Sequence, residues 1–189
     1  MGGIFILRVI SGSAKGLKLQ TLEGMNTRPT TDRVKENLFN ILSPYIEGSK
    51  VLDLFAGSGS LGIEALSRGA ESAVFADQNE KCTEIIISNL KHTSLEHKSE
   101  VFLGDAQLIL KKLSQHGKKF DIIFLDPPYN KGIIPEILLI LQEYDILEDR
   151  FIIAAEAAIE DELPRELGKI IISRSQPYGK TKLTFFKRN

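Results

Sequence analysis

At 189 residues, 42% hydrophobic and 26% charged, the chain is long enough to bury one proper core, and its net charge of -1 points to no partner by itself. One cysteine, Cys82, excludes an intrachain disulfide or a multi-cysteine metal site, and His92, His97 and His116 lie scattered in polar contexts that do not suit a metalloenzyme. No run approaches the roughly 18 apolar residues of a membrane span, and the start lacks the features of a signal peptide, so a cytoplasmic protein with no membrane partner is expected.

In chain order, residues 8–10 and 17–19, joined through Gly12 and Gly16, predict a small hairpin. Arg28-Pro-Thr-Thr-Asp32 leads into a helix over about 33–42, capped by Thr31 or Asp32, with Val34, Leu38, Ile41 and Leu42 as its apolar stripe. Short apolar runs at 51–55, 72–76, 100–103, 120–125 and 150–155 then alternate with helical patterns at 61–68, 80–93, 106–115 and 133–144. That alternation predicts an α/β fold with a parallel sheet. Residues 169–174 and 181–187 flank a Pro-Tyr-Gly turn as an antiparallel hairpin, making seven strands with the last antiparallel. The expectation is one domain over 1–189, with an appendage at 1–45 and a core at 46–189.

Charge is segregated along this order. Residues 1–50 hold seven Lys/Arg against four Asp/Glu, residues 165–189 seven against one, and residues 51–164 ten against twenty. Either both basic ends are simply solvated, or they meet on one face and contact phosphate.

Asp53-Leu-Phe-Ala-Gly-Ser-Gly-Ser-Leu-Gly62 follows a strand and opens a helix, and Gly57, Gly59 and Gly62 fit G-x-G-x-x-G. Such glycines let the chain turn sharply and let a ligand approach the backbone. Asp77 ends the next strand twenty residues after Gly57, where its carboxylate can accept from a ribose diol. A dinucleotide pyrophosphate suits a helix N-terminus without carboxylates beside it. Asp53 stands against that ligand and suits the ammonium of S-adenosylmethionine. The candidate cofactor residues are Asp53, Phe55, Gly57, Ser58, Gly59, Asp77, Asp105 and Ala106. Asp105 either accepts from the adenine amino group or caps the following helix, and the two roles are compatible.

Asp126-Pro-Pro-Tyr129 directly follows the fourth strand, at the carboxyl edge where open parallel sheets bind ligands. Pro127 and Pro128 remove two backbone donors and stiffen the turn, so carbonyls are presented outward as acceptors. An exocyclic base amine is a poor nucleophile because its lone pair is delocalised into the ring. The Asp126 carboxylate and the Pro127 carbonyl, accepting from its two N–H bonds, favour the pyramidal form, and Tyr129 can stack on a base swung out of its helix. Catalysis of this kind is positioning and electrostatics.

The motif order resembles the class I, Rossmann-like amino-methyltransferases. Arg8-Val-Ile-Ser-Gly12, Arg28-Pro-Thr-Thr-Asp-Arg-Val-Lys-Glu-Asn-Leu-Phe-Asn40 and Tyr178-Gly-Lys-Thr-Lys-Leu183 narrow it to the RsmD family of bacterial 16S ribosomal RNA guanine-N2 methyltransferases. The resemblance implies S-adenosylmethionine as cofactor, with no metal. It also implies one guanine of 16S rRNA, within the small ribosomal subunit or its assembly intermediate, as substrate. Arg28, Thr30, Thr31 and Arg33 would then line the entrance, with Lys15, Lys18, Lys180 and Lys182 as further phosphate contacts. Family members begin at a methionine in the place of Leu7, so an alternative start there, with residues 1–6 outside the native protein, is expected.

A DNA amino-methyltransferase shares the Asp-Pro-Pro-Tyr logic, but the chain has no spare segment for a base-reading domain, and no DNA partner is expected. Protein-glutamine methyltransferases carry Asn in place of Asp126. A non-catalytic ribosome-assembly module has no need of both motifs, and a nicotinamide oxidoreductase would lack a proton donor. No exposed heptad suggests a dimer, and a monomer is expected.

Overall fold

The computed structural model describes residues 7–22, 32–128 and 132–189. Among these, α1 (Asp32–Ile46) precedes β1 (Lys50–Asp53), α2 (Ser60–Ser67), β2 (Ser72–Asp77) and α3 (Glu80–Thr93). There follow β3 (Ser99–Leu103), α4 (Ala106–Gln115), β4 (Phe120–Leu125), α5 (Ile133–Glu143) and β5 (Leu147–Ala158), and then β6 (Glu166–Leu167), β7 (Ile170–Tyr178) and β8 (Thr181–Arg188). They form one sheet in the order β3-β2-β1-β4-β5-β8-β7-β6. β1 to β5 run parallel, β8 pairs antiparallel with β5, and β7 pairs antiparallel with β8.

Side chains alternate across the sheet and build two cores. Val51, Phe75, Phe124 and Phe185 face one side with Ile63, Ile86, Leu38 and Phe39 of the first three helices. Leu52, Val74, Ile123 and Phe186 face the other with Leu110, Leu113, Leu138 and Leu141 of α4 and α5. The middles of the central strands are therefore apolar on both faces, as strands covered on both sides must be, with charge confined to their ends.

The α/β class and the antiparallel last strand agree with expectation, but the sheet has eight strands. The additional one, β6, is a two-residue edge strand in a polar, proline-led stretch that gives no alternating pattern. The expected N-terminal hairpin is a looser crossing with one antiparallel bridge, Arg8 to Lys18, beside the Val9 N–H to Leu17 O bond. The stripe of α1 is also rotated: Lys35, Leu38, Phe39, Leu42 and Ile46 are buried, while Val34 and Ile41 are half-buried. The rotation follows from Lys35, 1% exposed, whose ammonium meets the buried Glu64 carboxylate at 3.1 Å.

Candidate active site

The parallel strands carry three carboxylates to one edge. β1 ends at Asp53, β2 ends at Asp77, and Asp126 is the first residue beyond β4. β1 lies between β2 and β4, with Asp53 level with Phe75 on one side and Phe124 on the other. The chain travels from β1 outward to β3 and crosses back to β4, so strand order reverses between β1 and β4. A crevice at such a point is where open α/β sheets take ligands.

Asp53 is 2% exposed, and its Oδ2 accepts the Gly62 N–H at 3.0 Å. Burial raises its carboxyl to about 7 despite the lowering effect of the Gly62 bond, and the Asp77 carboxylate adds to the rise. A cation brought to Asp53 would recover the ionised form. The loop beyond it turns through left-handed backbone at Gly57 (φ 55°) and Gly59 (φ 76°). A Cβ at Gly57 would project into open space, whereas one at Gly62 would lie 2.3 Å from the Phe75 ring. Gly57 thus leaves room for a ligand, and Gly62 lets α2 approach the sheet. Phe55, half-buried, packs on the core of the α4–α5 side.

The Asp77 Oδ2 accepts the Gly57 N–H at 2.9 Å and its Oδ1 the Asn79 N–H at 2.9 Å, so this residue shapes the glycine loop. The Cys82 thiol also hydrogen-bonds this carboxylate, whose roughly four acceptor sites still leave room for an outside donor. Asp105 is exposed and caps α4, its Oδ1 accepting from Gln107 N at 2.9 Å and Leu108 N at 3.4 Å. Its Oδ2 takes part in neither bond, and Ala106 beside it is half-buried.

Pro127 is buried, and Asp126 and Pro128 are exposed at the crevice. The protein packed around the Asp126 carboxyl raises its pKa, and the Glu156 and Asp53 carboxylates raise it further. Its side chain still meets water in the open crevice, which screens these effects until a ligand closes over it. Behind the turn lies a cavity of about 120 Å³ whose walls include Pro127, Pro128, Gly132 and Glu156. Among the described residues, no three His, Cys, Asp or Glu side chains converge as a metal site requires.

Two polar clusters that periodicity does not show fasten the N-terminal segment to this site. Glu64, fully buried on α2, accepts from Ile10 N at 2.8 Å and Ser11 N at 3.0 Å, and pairs with Lys35 at 3.1 Å and Arg68 at 2.7 Å. A carboxylate inside the otherwise apolar Ser60–Ser67 helix was the available sequence signal. Asn89, 1% exposed on α3, accepts from Gln20 N at 2.8 Å and donates to Gln20 O at 3.0 Å and Ser58 O at 2.9 Å. Its signal was an amide on a stripe with Cys82, Ile86 and Leu90.

Arg28, Thr30, Thr31 and Tyr129 lie outside the described residues, as do residues 1–6. Arg33 is exposed in the first turn of α1, Lys15 and Lys18 on the N-terminal segment, and Lys180 in the turn between β7 and β8. Lys182 is half-buried, its ammonium donating to the carbonyls of Ile159 and Asp161, which leaves it less free to meet phosphate.

The family model described as Conserved hypothetical protein 95 matches residues 7–187, which is nearly the whole chain. The chain belongs to this family, the RsmD family. YlbH of Bacillus subtilis (strain 168) is 44% identical to this RsmD-family chain over 182 residues, covering 96% of this chain and 99% of that protein. Ribosomal RNA small subunit methyltransferase D of Escherichia coli (strain K12) is 33% identical over 186 residues, covering 96% and 90%. The solved structure of the methyltransferase yhhF from Escherichia coli superposes with a TM-score of 0.85 at 35% identity, covering 96% and 97%. The sheet is therefore that of a Rossmann-like class I methyltransferase.

Proposed function

We propose that the protein transfers a methyl group from S-adenosylmethionine to the N2 amine of a guanine in 16S rRNA, on the small ribosomal subunit or its assembly intermediate. The observation that carries this reading is the pairing of Asp126 and Pro127, at the end of β4, with the buried Asp53 at the end of neighbouring β1. One end of the crevice suits a cationic ligand, and the other offers two acceptors to an amine.

The residues present fit S-adenosylmethionine. Asp53 would hold the methionine ammonium, Asp77 the ribose diol and Asp105 the adenine amine, and the open space beside Gly57 admits the ligand to the backbone. When bound, the cofactor supplies an electrophilic methyl group. The Asp126 carboxylate and Pro127 carbonyl accept from the two N–H bonds of the acceptor amine and favour its pyramidal form. Tyr129 stacks on the flipped base. No side chain need take the proton first, since a methylated aryl ammonium is acidic and releases it to solvent. Arg33, Lys15 and Lys180, with Arg28, Thr30 and Thr31, would meet the RNA.

The test uses labelled S-adenosylmethionine with small ribosomal subunits, stripped 16S rRNA and duplex DNA from a strain lacking the gene. Label recovered as N2-methylguanosine from subunits or rRNA supports the proposal. Label in another base or in DNA overturns the acceptor. No transfer to any of them, despite cofactor binding, favours a non-catalytic assembly role.

A further inference from the structure

A second concavity lies apart from the crevice, between α1 and β7. It encloses about 350 Å³ and is lined by Asn37, Asn40 and Ile41 of α1 and by Arg174, Gln176 and Tyr178 of β7. Three carboxamides, a guanidinium and a phenol dominate the lining, with no carboxylate among them. Carboxamides present donor and acceptor together, as base edges require, and a guanidinium suits phosphate.

One atom in this groove is left unexplained by the described residues. The Tyr178 hydroxyl is shielded from water, yet it has no hydrogen-bond partner among the described residues. Its ring packs against the buried cluster that includes Leu183 and Phe185. A shielded hydroxyl without a partner is destabilising, and phenylalanine would fill the same space without that penalty. Among the described residues the oxygen therefore gains nothing from the fold. Arg174 differs, since its Nη2 donates to Gln176 Oε1 at 2.9 Å, which holds the guanidinium beside the groove. β7 carries an irregularity between Ile172 and Arg174, the kind of defect by which a strand re-aims a side chain.

The location suits an extended acceptor. Tyr178 pairs with Thr181, and Thr181 pairs with Ala158 at the end of β5, so Tyr178 stands at the same sheet edge as Asp126. β5 and β8 separate β7 from β4, which puts the groove roughly 14 Å from the catalytic turn at about 4.8 Å per strand. The other wall, α1, carries Arg33 in its first turn. The groove thus lies where the two basic ends of the chain come together.

We propose that this groove holds a nucleotide of the RNA acceptor that neighbours the methylated base and is not itself modified. The Tyr178 hydroxyl and the carboxamides of Asn37 and Asn40 bond its base or ribose, and Arg174 meets its phosphate. The inference rests on the RNA-acceptor reading above and adds to it a second point of attachment.

Tyr178→Phe removes the single oxygen at issue, and Arg174→Gln removes the charge from an exposed position. Each variant is titrated with stripped 16S rRNA and with small subunits by filter retention, with S-adenosylhomocysteine affinity and melting temperature measured in parallel. Tyr178→Phe is expected to weaken RNA binding about three- to tenfold, with unchanged S-adenosylhomocysteine affinity and a melting temperature equal to or above that of the parent. Arg174→Gln should weaken RNA binding and reduce its salt slope by about one. Unchanged RNA affinity in both variants overturns the groove, whatever the methylation assay shows. A fall in melting temperature and S-adenosylhomocysteine affinity for Tyr178→Phe also overturns it, by making the hydroxyl structural. Selective loss of RNA binding without any methyl transfer by the parent protein would keep the groove and remove the catalytic reading. A parent protein that binds neither RNA removes both.

Discussion

The Asn89 carboxamide donates to the Ser58 carbonyl at 2.9 Å while the same side chain closes a two-bond pair with the backbone of Gln20. One buried amide thus fixes the glycine loop to the N-terminal segment that leads toward α1. Glu64 makes the second attachment, on the helix that springs from that loop. The two candidate ligand sites therefore share a scaffold through side chains that touch neither ligand.

Asn89→Ala leaves the Ser58 carbonyl and both Gln20 backbone groups without this partner. A loss of about 1–3 kcal/mol of stability is expected in denaturant titration. S-adenosylhomocysteine affinity should also fall several-fold by calorimetry, because the loop loses its anchor. Unchanged affinity would mean that the loop holds its shape unaided.

Asp126→Ala should leave S-adenosylhomocysteine affinity within about twofold and lower the single-turnover methylation rate by roughly two to four orders of magnitude. Loss of cofactor affinity in its place would reassign Asp126 to ligand binding.

Asp53 gives a pH dependence of defined sign. Its carboxyl stands at about 7 in the folded chain against 3.8 ordinarily. Below the lower value it is protonated in folded and unfolded chains alike and contributes no pH dependence. As pH rises from there to about 7 the unfolded chain gives up the proton first, so stability falls, by on the order of 4 kcal/mol once both states are ionised. Asp53→Asn should flatten this decline. An ammonium bound at Asp53 favours the ionised form, so wild-type affinity for S-adenosylhomocysteine should rise by up to about tenfold between pH 6 and pH 8. Affinity independent of pH in that range would separate Asp53 from the ligand's charge.

Two glycines of one motif should fail differently. Gly57→Val fills open space but strains the backbone at φ 55°, so it should abolish S-adenosylhomocysteine binding at a stability cost of about 1–2 kcal/mol. Gly62→Val drives side-chain carbon into the Phe75 ring and should act first on stability, by about 1–3 kcal/mol or more. Circular dichroism melts with and without S-adenosylhomocysteine distinguish the two.

The long parallel strands were legible because their apolar runs are continuous and bounded by glycine, aspartate and proline. The three crevice aspartates were legible because they stand at strand ends, where chain order alone determines which edge they share. Lys35, Glu64 and Asn89 were not, since hydrophobic periodicity registers a polar residue on a buried stripe as a defect and says nothing of its partner. Lys35 even rotated the apparent stripe of α1, since Val34 and Ile41 are the more apolar choice and Glu64 lies 29 positions away. β6 escaped because two residues cannot display a period.

β8 follows β6 and β7 in the sequence, yet it lies inside the sheet, between β5 and β7. Until β8 is made, β5 has an open edge and the β6–β7 pair has no strand linking it to the rest of the sheet. The sheet is joined only once residues 181–188 have been made, although the strands that carry Asp53, Asp77 and Asp126 come long before. A chain cut before Thr181 should thus show a folding defect, exposing apolar strand edges to aggregation while its crevice residues are all intact.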